Sequence, residues 1–204
     1  IKANPSKTII SLLAKNNIKS FDAASLSEIK LVRENVPDSN IFYMNPIKSR
    51  ISIKESFFKY NVRDYAVDSF SEIKKIEEET NFSNELNFHI RLDVSNKFSL
   101  INLSNKFGVS KEQAPDLLKY LSKKNYKIGI CFHVGSQCIN ANAYKFAINK
   151  SKNVIKKSGV KISYLNIGGG FPSLYSGTKP FCLKEYFNKI HNEFLNLKKD
   201  LKYN

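Results

Sequence analysis

Cysteine is scarce in this sequence, and the cysteines present follow no metal-binding pattern. Cys131, Cys138 and Cys182 are an odd number of thiols, with no CxxC pair and no histidines at zinc spacing. Neither a disulfide framework nor a metal site is therefore expected. Reduced thiols are typical of a cytoplasmic protein, which is the location that we predict.

Long apolar runs are also missing. No stretch approaches the roughly 18 residues of a membrane span, and no signal peptide is visible, so a soluble protein is expected. The 204 residues fit one domain or part of a larger one, because (β/α)8 barrels often need about 250. The chain opens with IKANP and no initiator Met, and these residues resemble the end of a strand. We interpret the sequence as a fragment.

Acidic residues are few, with 18 Asp and Glu against 33 Lys and Arg and a net charge of +15. Such a balance raises the hypothesis of a nucleic-acid or anionic-membrane partner. The lysines are dispersed through every predicted helix, however, and the densest group, at 150–161, fits one solvated helix face. Neither nucleic acid nor membrane is predicted as a partner.

Short apolar runs alternate with segments of helical periodicity, which is a βαβα pattern. Two helix starts share an S-x-x-E capping box, Ser25 with Glu28 and Ser69 with Glu72. Parallel strands joined by helices form either an open doubly wound sheet or a closed barrel. The predicted strands are 19–24, 40–45, 63–68, 87–94, 127–135 and 162–168.

Both architectures bind ligands at the carboxyl ends of their strands. Residues that could bind a ligand or take part in catalysis cluster at or just after these predicted ends. Chance explains this clustering poorly. The residues are Lys2, Asp22, Asn45, Lys48, Asp68, Arg91, His133 and Ser136, together with the glycine loop, Gly168–Gly170.

The glycine loop holds three of only eight glycines and follows an apolar run. Consecutive backbone N–H groups without a Cβ form a concave donor site that suits a phosphate. A glycine bulge at a barrel rim is the alternative reading.

His133 and Ser136 lie in CFHVGSQC, one predicted strand before the glycine loop. The imidazole would stand over the mouth of the sheet, while the hydroxyl reaches an anion. A histidine at a strand end is often only a satisfied structural group, but the neighbouring glycine loop favours a functional role.

Arg91 lies in an otherwise apolar strand, where an unpaired guanidinium would be costly to bury. It needs an anionic or phenolic partner, although an internal pair with Asp22, Glu28 or Asp93 would also satisfy it. Lys2 favours a cofactor-binding site over a purely structural role for these residues. An amine at a strand end, beside a phosphate site and a stacking ring, is what a pyridoxal phosphate enzyme needs for its Schiff base.

The motifs together resemble a known family. IKANP, SFDAASLSEI, MNPIKSR, FHIRLDVSNKFSLINLSNKFGVS, GICFHVGSQC and LNIGGGFP resemble, in order and spacing, the alanine-racemase-like barrel domain of ornithine and lysine decarboxylases. The resemblance runs to about Phe187. It implies an α/β fold, a (β/α)8 TIM-type barrel that binds pyridoxal 5′-phosphate, with 1–204 a partial domain that is incomplete at both ends and lacks the C-terminal β-domain.

The resemblance also implies roles for single residues. Lys2 would carry the cofactor, His133 would stack on its ring, and Arg91 would lie near its phenolic side. Ser136 and the glycine loop match the groups that hold the phosphate. Asp22 and Glu28 match acidic positions near the lysine, although Glu28 is also the capping residue.

This chain differs from the family at Asn166, where relatives usually have Asp. The family's EPGR element is also not in the sequence. The implied reaction converts L-ornithine to putrescine, or L-lysine to cadaverine, in a homodimer with active sites at the subunit interface; the isolated fragment is expected to be inactive. Diaminopimelate decarboxylase is one alternative, although MNPIKSR and Phe132 look more like the ornithine type. A non-catalytic relative that acts by binding, as antizyme inhibitors do, is the other.

Overall fold

The computed structural model describes residues 1–94, 99–101, 106–177 and 182–203. The chain divides into two compact units. The first comprises Ile1–His89 with Lys124–Lys127, and the second comprises Ile90–Lys123 with Ile128–Asn204.

The first unit alternates helices and strands from its start. Its strands β1, β2 and β3 pair in parallel, with Phe21 beside Ile41 and Tyr43 beside Tyr65. The elements are α1 (Lys7–Lys15), β1 (Ser20–Ala23), α2 (Leu26–Asn35), β2 (Asn40–Tyr43), α3 (Arg50–Phe58), β3 (Asp64–Val67), α4 (Phe70–Glu79) and the first residues of β4 (Asn87–Arg91).

Two serines start α2 and α4 as the sequence predicts. The Ser25 hydroxyl accepts a hydrogen bond from the Glu28 backbone N–H, and Ser69 does the same for Glu72, each over 3.3 Å. Both serines have extended backbone, which is the usual conformation of an N-cap. The prediction of two helix starts directly after strand ends is confirmed.

The second unit holds the end of β4 and the elements that follow it. Within it β6 and β8 pair in parallel, with Ile130 beside Leu165, and β5 and β7 form a separate antiparallel pair. These elements are β5 (Ser99–Ile101), α5 (Ala114–Lys123), β6 (Lys127–Cys131) apart from its first residue, β7 (Ser136–Cys138), α6 (Asn142–Ser158), β8 (Tyr164–Asn166) and α7 (Leu183–Leu201).

Six parallel strands follow the order β1-β2-β3-β4-β6-β8. Each lies inside one of the six predicted strand ranges, so the βαβα reading is confirmed. Two features differ from expectation. Residues 1–6 contain no strand, and the predicted strand 127–135 ends at Cys131, with the separate strand β7 beginning at Ser136.

Each unit has its own apolar core. In the first, every helix buries apolar residues, among them Ile10, Ile29, Ile53 and Ile73. In the second, α5 contributes a buried leucine row, and the fully buried Tyr144 and Tyr186 come from α6 and α7. None of the helices in the described ranges has the length and apolarity that crossing a membrane requires.

Candidate active site

The glycine loop follows β8 directly and requires glycine for steric reasons. Gly168 and Gly170 have φ values of +65° and +99°, which side chains rarely adopt. A Cβ at Gly168 would overlap the carbonyl oxygen of Phe132, and one at Gly170 would overlap that of Gly135. The missing side chains therefore let the loop lie against the backbone that follows β6.

The carbonyl groups of the glycine loop are held from outside the loop. The Tyr144 hydroxyl donates to the Gly169 carbonyl oxygen over 2.9 Å. The Cys138 backbone N–H donates to the Gly170 carbonyl oxygen, also over 2.9 Å. Both oxygens are thus committed to protein partners, which restricts rotation of the two peptide groups.

The amide groups of the loop are used differently. The Gly168 N–H donates to the side-chain oxygen of Asn166 over 2.8 Å, a bond that the family's usual Asp would also accept. The N–H groups of Gly169, Gly170 and Phe171 have no acceptor among the described residues. Three consecutive unpaired donors are what an anion such as a phosphate group needs.

His133 lies beside the glycine loop, two residues after β6 ends. Its Nδ1 accepts a hydrogen bond from the Gly135 backbone N–H over 3.0 Å, so the proton of a neutral ring is on Nε2. Nε2 is 3.6 Å from the position that a Cβ on Gly169 would take. The structure therefore brings His133 and the glycine loop together.

Ser136 begins β7, and its neighbour Gln137 ties this segment to the chain beyond the glycine loop. The Gln137 side chain donates to the Ser173 carbonyl oxygen over 3.0 Å and accepts from the Ser173 N–H over 2.8 Å. Gln137 has φ +52°, a strained value for a residue with a side chain. This two-bond clamp fixes the backbone on which the Ser136 hydroxyl is carried.

Arg91 ends β4 in the second unit and is half-buried. Its guanidinium carbon lies 5.2 Å from the ring centroid of Phe107, a cation–π distance. Its carbonyl oxygen accepts from the Val109 N–H over 2.9 Å. The aromatic partner, sixteen positions along the chain, was not anticipated from the sequence.

Lys2 and Asp22 are neighbours in the first unit. The backbone nitrogen of Ile1 donates to the Asp22 carbonyl oxygen over 3.0 Å, which places Lys2 beside the carboxyl end of β1. Lys2 lies in a turn, and its side chain is exposed, as is that of Asp22. In place of the strand expected at the start of the chain, the structure shows this bond to β1.

Glu28 serves the helix start in the structure. Its backbone N–H binds the Ser25 hydroxyl, and one carboxylate oxygen accepts from the Ala24 N–H over 2.8 Å. The capping role that the sequence offered beside the cofactor role is therefore confirmed, with the carboxylate bound one residue earlier than in the usual capping box.

Lys48 differs most from the expectation for a ligand-binding residue at a strand end, because it is buried, with 3% of its surface exposed. Its Nζ donates to the carbonyl oxygens of Asn45 and Ala66 over 2.9 and 2.7 Å, and it lies 3.1 Å from a carboxylate oxygen of Glu72. Burial lowers the pKa of the Lys48 amine to about 8, although Glu72 opposes the shift.

The second unit fits a phosphorylated aromatic cofactor. It offers three amide donors in a row, a nearby hydroxyl-bearing segment and an imidazole ring beside them. The described ranges hold no group of three or more His, Cys, Asp or Glu side chains that could bind a metal ion.

Comparison with known proteins agrees with this geometry. Residues 1–201 match the family model of the pyridoxal-dependent decarboxylase pyridoxal-binding domain. The chain is 37% identical over 177 residues to a lysine/ornithine decarboxylase of Selenomonas ruminantium, covering 84% of this chain and 44% of the relative. It is 33% identical to antizyme inhibitor 2 of Xenopus laevis, covering 84% and 38%.

A solved structure matches the fold. The structure of SrLDC in complex with PLP and cadaverine is 31% identical, with a TM-score of 0.80 over 97% of this chain and 50% of that chain. This chain thus spans half or less of the length of these relatives. It belongs to the fold-type III family of pyridoxal phosphate-dependent ornithine and lysine decarboxylases, and forms part of their pyridoxal-binding (β/α)8 barrel domain.

Proposed function

We propose that the protein carrying this chain removes the α-carboxylate of a basic amino acid. L-ornithine, giving putrescine, is the first choice, and L-lysine, giving cadaverine, is the second. The observation that carries the proposal is the glycine loop, which lies beside His133 and whose amides at Gly169, Gly170 and Phe171 have no acceptor in the described part of the chain. The chain belongs to a pyridoxal phosphate-dependent family.

In this proposal the N–H groups of Gly169, Gly170 and Phe171 and the hydroxyl of Ser136 bind the phosphate group. His133 lies against the cofactor ring, and Gly135 keeps the imidazole Nδ1 occupied, which fixes the ring's orientation. The bound cofactor supplies a ring that accepts the electrons released with CO2.

Residues of the first unit supply the amine chemistry. Lys2 is the proposed attachment point, since it lies beside the end of β1 with an exposed side chain. Asp22 and Glu28 provide negative charge near it, and Arg91 of the second unit is proposed for the phenolic side of the cofactor. A proton replaces CO2 on the α-carbon, so the reaction consumes one proton for each diamine formed.

The finer choices rest on sequence. The MNPIKSR motif and Phe132 favour the ornithine type over diaminopimelate decarboxylase. We further propose that 1–204 is one partial barrel domain, that the whole protein is a cytoplasmic homodimer with sites at the subunit interface, and that this chain alone is inactive. Sedimentation of the full-length protein tests the dimer.

The test of the proposal is to locate the cofactor in the full-length protein. Loading with pyridoxal phosphate, borohydride reduction and peptide mapping should place the label on Lys2. Lys2→Ala should abolish label and diamine production, whereas the matched change Lys7→Ala, at an exposed lysine five residues away, should leave both unchanged.

Two outcomes would contradict the proposal in different ways. Label on Lys48 or on a lysine of 150–161, with activity retained in Lys2→Ala, would show that the site is elsewhere. Cofactor binding without decarboxylation of ornithine, lysine or diaminopimelate would favour the non-catalytic alternative, which the 33% identity to an antizyme inhibitor keeps in view.

A further inference from the structure

Tyr144 is a buried tyrosine on α6 with its hydroxyl pointed at the glycine loop. The residue is fully buried, and its hydroxyl donates to the Gly169 carbonyl oxygen over 2.9 Å. Burial raises the pKa of the Tyr144 hydroxyl, so it remains a donor at every working pH.

A peptide group is planar and trans, so its carbonyl oxygen and its N–H point in opposite directions. A bond that holds the Gly169 carbonyl oxygen towards Tyr144 therefore holds the Gly170 N–H away from α6. This N–H is one of the donors with no acceptor among the described residues. The direction of an unpaired donor is thus set by a tyrosine on the other side of the same peptide group.

Glycine makes such an anchor necessary. Gly169 and Gly170 flank this peptide group and have no Cβ to restrict their φ and ψ angles, so the plane would otherwise rotate with little cost. The next peptide group is anchored in the same way, because the Cys138 N–H holds the Gly170 carbonyl oxygen and leaves the Phe171 N–H on the opposite side.

The tyrosine itself is fixed by aromatic neighbours within the second unit. Phe171 stacks on the Tyr144 ring with centroids 5.1 Å apart and planes within 12° of each other. Tyr186 meets the ring edge-on at 6.0 Å, and its own hydroxyl donates to the Cys138 carbonyl oxygen over 2.7 Å. The hydroxyl of Tyr144 therefore has little freedom to leave Gly169.

We propose that Tyr144 is a positioning residue that aims the Gly170 N–H at the phosphate group of the cofactor. The inference rests on the proposed function in one respect, namely that the glycine loop binds this phosphate. Tyr144 contacts neither the cofactor nor the substrate in this proposal; it acts through the Gly169–Gly170 peptide group.

The test is Tyr144→Phe in the full-length protein, which removes one oxygen atom and keeps the ring. Loss of one hydrogen bond should weaken binding of pyridoxal phosphate by about twofold to tenfold. Affinity for pyridoxal, which lacks the phosphate, should not change. The control is Tyr65→Phe, which removes the hydroxyl of another fully buried tyrosine, one that binds Ser56 in the first unit; it should leave both affinities unchanged.

A second measurement needs no variant. With selective ¹⁵N-glycine labelling of the wild-type protein, inorganic phosphate should shift the amide resonance of Gly170. The Gly168 resonance should move less, since its N–H is already bound to Asn166.

The inference is overturned if Tyr144→Phe binds pyridoxal phosphate as the wild type does, if it loses affinity for pyridoxal equally, or if phosphate leaves Gly170 unmoved. Decarboxylase activity is scored separately. An inactive wild type with a Tyr144-dependent phosphate effect would remove the proposed reaction and keep the positioning role, whereas an active wild type indifferent to Tyr144→Phe would do the reverse.

Discussion

Two groups of residues follow strands of the parallel sheet, and they differ in how their donors are used. The Lys48 cluster, which consists of Lys48, Glu72 and Lys75, lies after β2 and β3 in the first unit. All three Nζ hydrogens of Lys48 have acceptors within the protein, two carbonyls and one carboxylate. The glycine loop after β8 instead leaves three amide donors without an acceptor among the described residues.

The comparison shows that position at a strand end does not by itself identify a ligand site. Lys48 and the glycine loop occupy equivalent places in the βα pattern, yet only the loop has donors left for a partner. A charged cluster whose donors and acceptors bind one another contributes to the stability of the fold. Backbone groups whose carbonyl oxygens are bound but whose N–H groups have no acceptor can instead bind an anion.

The largest expected effect is the removal of the Lys48 amine together with the hydrogen bonds that it donates. Lys48→Met leaves the Asn45 and Ala66 carbonyl oxygens without their Nζ donor. It also leaves the Glu72 carboxylate, which is 5% exposed, with Lys75 as its cationic partner among the described residues. Loss of these donor contacts should lower the free energy of unfolding by about 3–5 kcal/mol, at about 1–3 kcal/mol for each acceptor left unsatisfied. A neutral Lys48 amine still has hydrogens to donate, so deprotonation does not carry this cost. Urea denaturation measures it, with Lys54→Met, at an exposed position of α3, as the control. Equal effects of the two changes would show that the cluster is not structural.

Titration of Lys48 should also make the free energy of unfolding depend on pH. The folded pKa of about 8 lies below the ordinary value of 10.5, so between these pH values the unfolded state binds the extra proton and stability rises with pH. The full rise is on the order of 3 kcal/mol, at 1.36 kcal/mol per pKa unit. Denaturation curves from pH 7 to 10 for wild type and Lys48→Met should diverge over this range; parallel curves would contradict the assignment.

Alanine substitutions at two glycines should separate the cost of a positive φ angle from the cost of steric overlap by the added Cβ. Gly170→Ala places a Cβ against the Gly135 carbonyl oxygen, whereas Gly159→Ala, at the end of α6, has a similar positive φ but open space around the Cβ. Both changes should cost about 1–2 kcal/mol for the backbone conformation, and Gly170→Ala about 1–3 kcal/mol more. Only Gly170→Ala should weaken binding of pyridoxal phosphate, which an absorbance titration measures. Loss of binding in Gly159→Ala as well would point to a general loss of structure.

The last comparison is between the glutamates in the first turns of α2 and α4, Glu28 and Glu72. Glu72→Gln removes the charge beside the buried Lys48 ammonium and should cost about 1.5–3 kcal/mol, since hydrogen bonds to charged groups have that value. Glu28→Gln keeps an acceptor for the Ala24 N–H and should cost about 0.5 kcal/mol or less. Thermal unfolding of the two variants side by side gives the ranking, and the reverse order would mean that Glu28 has a charged partner of greater weight.

The sequence predicts the elements of this fold well because their signals are local. Ser25 and Ser69 stand three residues before the groups that they bind, and strand runs are bounded by their own turns. The glycine loop is equally visible, since three consecutive glycines after an apolar run have few structural explanations.

The sequence does not predict contacts between distant residues. Glu72 reaches Lys48 across 24 positions, and Tyr144 reaches Gly169 across 25. Neither spacing carries a pattern, so Lys48 was grouped with functional strand-end residues and Tyr144 was not singled out. The antiparallel pairing of β5 with β7 has the same origin, because the register that joins Ser99 to Cys138 depends on the folded backbone.

The division of the chain also has a consequence for synthesis on the ribosome. The first unit needs Lys124–Lys127, which emerge only after residues 90–123 have been made. Lys124 supplies the ammonium that binds both carboxylate oxygens of the buried Glu77, at 2.7 and 2.9 Å. During translation the Glu77–Lys124 ion pair can therefore form only after residues 90–123, including α5, have been synthesised. The first unit completes its contacts only when part of the second unit has already been made.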